Sequence, residues 1–336
     1  MLGVIMVIKS VVLYHGDCDG VIAAGLYIRH FLLDYFPDKI MLKYSHPWRL
    51  HEDLDRVSKS LKEGVEVVVL LDLAISLNTV ELLKKLSKIK DLTIVVVDHH
   101  SSSASTINAL KELGSKVKVF WNQVQSTPEV LASSLIRNLN EYEQALVKVA
   151  NICEGGHAND ELIRDVSDRI KLVLAVEPSN ESLIRGSVEA IVKGVEFWNS
   201  KVFNEKYSKA KWLLQTLLKR IEERIEKMCD WGIAVFNAAE SVIYAGLFGI
   251  ASTEFIKKYK MSIVLIREEE KKFVVTVRSV NGKALEFCKA LSNEYREELS
   301  AIYGGHKEAA SLTIRTNRSL TELTQIVKEL IQKRYC

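Results

Sequence analysis

Tyr14-His15-Gly16-Asp17-Cys18-Asp19-Gly20 is the stretch that decides how this chain is read. It closes an apolar, β-branched run, Val4–Leu13, and opens a helical pattern, Gly20–Phe36. Alternate side chains at a strand end project to one side, so His15, Asp17 and Asp19 are placed to form a small ligand cluster. Gly20 permits a tight turn into the helix. Three ligand-type side chains in five residues exceed what ordinary helix capping needs.

Two more runs repeat the pattern. Val65–Leu71 leads into Asp72, and Leu92–Val97 into Asp98-His99-His100. All three runs are nearly continuous rather than alternating, as expected for strands covered on both faces. A second helical pattern, Ser76–Ile89, lies between them. Strand and helix in alternation predict a parallel sheet with right-handed crossovers. Ligands of such sheets gather beyond the carboxyl ends of the strands, so the three polar clusters are expected to converge on one crevice. Imidazoles and carboxylates without thiolates suit Mn²⁺, Zn²⁺ or Fe²⁺ better than Ca²⁺ or a structural zinc.

Further along, residues 130–195 read as helical, broken at Pro178 and at Glu154-Gly155-Gly156. Residues 196–230 form a charged amphipathic segment with Trp198 and Trp212, which reads as a connecting helix whose tryptophans pack between domains. Strand-like runs then return at Ile233–Phe236, Ser241–Phe248, Met261–Ile266 and Phe273–Val277, with helical patterns at Ala284–Leu291 and Leu320–Lys333. The Glu268–Lys272 charge run reads as a solvated hairpin tip. The expected class is α/β: a parallel-sheet domain (residues 1–195) with helices on both faces, a helical linker (196–230) and a smaller α+β domain (231–336).

The length of 336 residues suits two domains, and 48% hydrophobic with 26% charged residues excludes wholesale disorder. A net charge of +3 conceals an asymmetry: residues 1–190 carry 21 basic against 25 acidic side chains, and 191–336 carry 25 against 18. An acidic part joined to a basic part suits a cation site facing a phosphate-rich ligand. The five cysteines, Cys18, Cys153, Cys229, Cys288 and Cys336, are odd in number, scattered and free of CxxC spacing, so neither a disulfide framework nor a thiolate zinc site is expected. Lys9 interrupts the apolar opening, which therefore reads as a buried strand rather than a signal peptide, and no apolar stretch is long enough to cross a bilayer. The expectation is a cytoplasmic protein without membrane contact.

Taken together, His15-x-Asp17-x-Asp19-Gly20, Asp72 within Leu70-Leu71-Asp72-Leu73, and Asp98-His99-His100 resemble the DHH phosphoesterase superfamily in order, separation and strand-end context. Trp121-Asn122 followed by Ser126-Thr127 looks like the family's Asn-then-Ser segment. Tyr303-Gly304-Gly305-His306-Lys307-Glu308-Ala309-Ala310 is similar to the Gly-Gly-Gly-His-x-x-Ala-Ala signature of the DHH-associated domain, with Tyr303 in place of the first glycine. The resemblance implies two divalent cations, usually Mn²⁺, sharing one aspartate. Carried over, His15, Asp17 and Asp72 hold one ion, and Asp19, Asp72, His99 and a fourth-motif carboxylate hold the other. Asp98 orients an imidazole, and His100 meets the scissile phosphate. The fourth motif departs from the family's Asp. Glu154 aligns best, with Cys153, His157 and Asp160 as alternatives. In the C-terminal part, Gly304, Gly305 and His306, with Arg278 and Ser279, are the implied substrate-binding residues, and Tyr303 is either a base-stacking or a packed strand aromatic. His30, His46 and His51 read as structural or loop residues.

The first choice of activity is a Mn²⁺-dependent exonuclease that degrades short single-stranded RNA or DNA to mononucleotides. The chain looks more like compact nano-RNases, phosphoadenosine-phosphate phosphatases and archaeal RecJ-like exonucleases than like longer bacterial RecJ. One competitor is a small-nucleotide phosphatase or cyclic-dinucleotide phosphodiesterase. The other is a catalytically silent nucleic-acid-binding partner in replication or repair, suggested by the irregular fourth motif. The second domain argues against a family II pyrophosphatase. Partners on this reading are oligonucleotides or small nucleotides; a homodimer and a repair or replication protein stay open.

Overall fold

A computed structural model describes residues 7–61, 64–157, 159–270, 272–296 and 299–336. The chain divides into two compact units, Met1–Tyr207 and Ser208–Cys336. In the first unit the order is β1 (Ser10–His15), α1 (Cys18–Phe31), β2 (Ile40–Ser45), α2 (Leu50–Ser60), β3 (Val67–Leu71), α3 (Leu77–Leu86), β4 (Thr93–Asp98), α4 (Ala104–Lys111), β5 (Val117–Trp121) and then helices α5 (Thr127–Ser134), α6 (Glu141–Cys153), α7 (Glu161–Val176) and α8 (Glu181–Lys193). The five strands form a parallel sheet in the order β2-β1-β3-β4-β5. Val4–Met6, the start of the first expected strand, lies outside the described residues, as does Lys271 of the expected hairpin tip.

The period-2 geometry of the strands builds two cores from one sheet. Val12, Tyr14, Val69, Leu71, Val95 and Val97 face one side and pack with α1 and α5–α8. Val11, Leu13, Val68, Leu70, Ile94 and Val96 face the other and pack with α2–α4. Helix α1 is buried nearly all round. At Gly25 its backbone meets α8 so closely that a Cβ would stand 2.3 Å from Ile191 Cγ2. Side-chain caps start the later helices: Ser126 on α5, and Asn140 with Glu143 in a reciprocal capping box on α6. His30 is structural, paired with the same buried Glu143. Trp198 packs into this unit's own core, parallel to Tyr142 with ring centroids 6.2 Å apart.

Helix α9 (Lys201–Arg224) occupies much of the expected linker. The second unit continues with β6 (Glu226–Met228), β7 (Trp231–Phe236), α10 (Ala238–Tyr244), α11 (Phe248–Tyr259), β8 (Ser262–Glu269), β9 (Lys272–Arg278), α12 (Ala284–Glu294), β10 (Ser300–Gly305), β11 (Ala309–Arg315) and α13 (Leu320–Tyr335). Its sheet has the order β10-β11-β9-β8-β7-β6, and only β7 and β8 pair in parallel. The strand expected at Ser241–Phe248 is helix instead. An Asn237–Glu240 capping box starts it, and Ser241, Tyr244 and Phe248 turn inward at helical spacing while Val242 and Ile243 stay exposed.

The cysteine expectation is also corrected. Cys18 pairs with Cys153 and Cys229 with Cys336, leaving Cys288 as a buried thiol. Partners 135 and 107 residues apart are brought together by tertiary packing, which spacing along a chain cannot reveal. Among the described residues no helix is long and apolar enough to cross a membrane.

Candidate metal centre

The order β2-β1-β3 puts a topological switch between β1 and β3, where crossovers leave to opposite sides and open a crevice at the carboxyl ends of the strands. His15 ends β1, Asp72 follows β3 and Asp98 ends β4. Asp72 adopts φ +58°, a left-handed conformation that Asp tolerates better than most residues. Its amide donates to the Val97 carbonyl at 3.0 Å, which fixes the β3 turn against β4. Asp17 caps α1 by accepting from the Gly20 amide at 3.0 Å, and Asp19 lies buried in the first turn.

Two ligand groups result, and Asp72 belongs to both. His15, Asp17 and Asp72 form one; Asp72, His99 and His100 form the other. His15 Nδ1 lies 2.9 Å from Asp17 Oδ2 and 3.6 Å from Asp72 Oδ2. His99 Nε2 lies 3.3 Å from Asp19 Oδ2 and 3.5 Å from Asp72 Oδ1. His100 Nδ1 lies 2.7 Å from Asp98 Oδ1 and 3.8 Å from Asp72 Oδ1. The structure thus gathers His15, Asp17, Asp19, Asp72, Asp98, His99 and His100 at one sheet edge. It brings His100 nearer to Asp72 than the inferred division of ligands assumed.

The surrounding bonds orient these groups. His99 Nδ1 faces the Val124 carbonyl at 3.2 Å, so Nδ1 carries the proton and Nε2 turns its lone pair toward the carboxylates. Thr127 donates its hydroxyl to Asp72 Oδ1 at 2.9 Å and its amide to Asp19 Oδ2 at 3.2 Å, from the first turn of α5. Ser103 donates to Asp98 and accepts from the Ile75 amide, and Trp121 Nε1 donates to the His100 carbonyl at 3.0 Å. Ser103 and the Val124 carbonyl escaped sequence reasoning; the serine run behind His100 was the available signal for the first.

Electrostatics point the same way. Burial, then the charges of Asp72, Glu154 and Asp17, raise Asp19 well above the usual carboxylate range. Burial acts against ionised Asp72 too, but the hydrogen bond from His15 and the charge of His100 hold its carboxyl far below that range. His100, despite burial, is pushed up to about 9 by Asp98. Asp19 Oδ1 and His99 Nε2 are buried with no hydrogen-bond partner. A bare imidazole lone pair beside carboxylate oxygens is the donor set a divalent cation satisfies, so the residues fit such an ion.

Glu154 ends α6 with its carbonyl accepting from Gln125 at 2.7 Å. Its side chain is accessible at the rim, outside both ligand groups. Crowding by protein, then the charges of Asp17 and Asp72, push its carboxyl up to about 7, which places it in the field of the cluster. The alternatives differ: Asp160 caps α7, His157 is exposed, and Cys153 is in a disulfide.

In the second unit, the Gly304-Gly305-His306 segment closes the β10–β11 hairpin, with the His306 amide donating to the Ala309 carbonyl at 2.7 Å. Gly305 has φ +131°, and a Cβ there would stand 2.4 Å from the Ala309 oxygen. The hairpin docks on the Arg278–Ala284 turn: Ser279 N donates to Glu308 O at 2.9 Å and Ala284 N to Lys307 O at 2.8 Å. The two segments singled out in the sequence are therefore neighbours. Arg278 donates to Thr253 Oγ1 and the Gly249 carbonyl, and buried Ser279 accepts from the amides of Asn281 and Lys283, so both carry structural bonds. Tyr303 is part-exposed on the edge strand β10.

The sequence matches no protein-family model and no curated protein. Among solved structures it is similar to a DHH-domain member of a family of ribosomal proteins, at 16% identity and a TM-score of 0.67 over 97% of this chain and 86% of that one. It is similar to RecJ from Thermus thermophilus in complex with Mn²⁺, at 15% identity and 0.60, over 97% of this chain and 52% of that one. It is also similar to the pGpG-specific phosphodiesterase PggH from Vibrio cholerae, at 12% identity and 0.56, over 96% of this chain and 99% of that one. The fold is that of the DHH-domain proteins.

Proposed function

We propose that the chain is a metal-dependent phosphoesterase, an exonuclease that shortens single-stranded RNA or DNA to mononucleotides. One observation carries this reading: two groups of imidazole and carboxylate ligands share the buried Asp72 at the carboxyl edge of a parallel sheet. Divalent cations held there, Mn²⁺ first among them, would supply Lewis-acid polarisation of a phosphoryl oxygen and a nucleophile at neutral pH. His15, Asp17 and Asp72 are assigned to one ion, and Asp19, Asp72 and His99 to the other, with Glu154 completing it from the rim. The chain's own contribution is orientation and proton control. Asp98 anchors His100 Nδ1, leaving Nε2 to donate to the phosphate or to the leaving oxygen. Thr127 and the Val124 carbonyl hold Asp72 and His99 in place.

Substrate binding is assigned to Gly304, Gly305 and His306 of the second unit, with Arg278 and Ser279 shaping the turn beneath them. A second reading, a phosphodiesterase of small or cyclic dinucleotides, draws on the likeness to PggH, which this chain matches over nearly that protein's whole length. The intact Asp98-His99-His100 triplet speaks against a catalytically silent partner. The deciding test is incubation with end-labelled RNA and DNA of graded length, with cyclic dinucleotide and with phosphoadenosine phosphate, with Mn²⁺ supplied or chelated. Mononucleotide release from oligomer ends, lost on chelation, supports the exonuclease. Cleavage confined to the small nucleotides supports the second reading, and no turnover on any substrate overturns both.

A further inference from the structure

Beside the ligand cluster, the loop that follows β2 carries an aromatic pair with no part in metal binding. Because β2 pairs with β1 in parallel register, His15 opposite Ser45, this loop leaves the sheet at the same edge as the cluster. The His46 ring meets the His15 ring edge-on, with centroids 5.5 Å apart. Trp48 lies parallel to His46, at an interplanar angle of 7° and a centroid distance of 5.9 Å. Two such steps keep the indole within about 11.4 Å of the His15 ring.

The loop is built to hold this indole at the surface. Buried Asp53 accepts from Ser45 Oγ at 2.7 Å and from Arg49 Nε and Nη2 at 2.8 and 3.0 Å, clamping both ends of the turn. Arg49 N donates to the His46 carbonyl at 3.0 Å and closes it. The Arg49 guanidinium also lies 5.9 Å from the Trp48 ring. Yet Trp48 remains 63% exposed. An indole fixed by its neighbours, but left largely in water beside a cluster that fits cations, has the form of a stacking surface for a base.

We propose that Trp48, backed by His46, stacks the nucleobase of the residue whose phosphodiester reaches the His15–Asp72 cluster. This rests on the phosphoesterase reading and narrows it: the substrate carries a base, and its sequence is tolerated because every base offers a π face. The test measures binding and Mn²⁺-dependent cleavage of a single-stranded DNA trimer, and of the same trimer with an abasic terminal residue, by the full chain. Wild type, Trp48→Phe and Trp48→Ala are compared. Trp48→Ala is expected to bind the base-bearing trimer roughly tenfold more weakly, Trp48→Phe within about threefold of wild type, and both to match wild type on the abasic trimer. If Trp48→Ala binds the base-bearing trimer as wild type does, the platform is wrong while wild-type cleavage keeps the phosphoesterase reading. Equal weakening on both trimers assigns Trp48 to loop structure and also overturns the platform. A wild type that neither binds nor cleaves either trimer overturns the platform, while the phosphoesterase reading falls only if RNA and the small nucleotides are not turned over either.

Discussion

Replacing Asp72 by Asn tests the shared-ligand geometry most directly. Asn keeps the shape, tolerates φ +58° as Asp does, and can still accept from Thr127, whereas Ala would add about 1–2 kcal/mol of left-handed backbone strain. What Asn removes is one unit charge. The Asp72 oxygens lie 3.5, 3.6 and 3.8 Å from nitrogens of His99, His15 and His100, so a cation among them sits within ~4 Å of that charge. At an effective dielectric of ~20, two unit charges at that distance interact by ~4 kcal/mol and a dication with one unit charge by ~8 kcal/mol, so the loss is at least roughly a thousandfold in affinity at 1.4 kcal/mol per tenfold. Equilibrium dialysis with metal analysis should show Mn²⁺ affinity falling by at least that factor, with far-UV circular dichroism unchanged and oligonucleotide cleavage abolished. An Asn variant that holds Mn²⁺ at wild-type affinity and cleaves at the wild-type rate would refute the shared-ligand argument.

Three further outcomes follow from other parts of the molecule. In chelator-treated protein, the folded-state value of His100, about 9 against an ordinary 6.5, contributes stability that is complete below pH 6.5 and lost as pH rises through about 9; urea midpoints should fall across that window, and Asp98→Asn should flatten the fall. Gly305→Ala should lower the urea midpoint by the equivalent of about 1–3 kcal/mol, since its Cβ would collide with Ala309, while Gly304→Ala, with nothing within 4 Å, should leave it unmoved; equal effects would dismiss the hairpin argument. Replacing Cys229 and Cys336 by Ser opens a cross-link spanning 107 residues, which chain entropy values at up to ~4–5 kcal/mol, so in oxidising buffer the variant should melt below the wild type; an unchanged melt would show the pair contributes nothing.

The first unit was legible because its signals are local. A β-branched run ending in Asp or His states both the strand and the edge at which the ligand emerges, as at Leu71-Asp72 and Val97-Asp98. β2 and β5 were not read, since Ile40–Ser45 and Val117–Trp121 are half-exposed edge strands mixing polar with apolar residues. At Ser241–Phe248, β propensity was overridden by a capping box and by inward residues spaced three and four apart. The cysteine pairs and the Val124 carbonyl depend on contacts between distant segments, and a carbonyl has no letter of its own. Glu154 was found only as an acidic residue before glycines; that it feels Asp17 and Asp72 is a property of folded space.

The close approach at Gly25 has a consequence for how such a protein can diversify. A helix wedged this tightly against its neighbour leaves Asp17 and Asp19 no room to drift, so inherited variation in ligand preference must collect at the periphery. Trp48, exposed on the loop after β2, is a position that can change without disturbing that framework, and comparing it across lineages would track shifts in diet rather than in machinery.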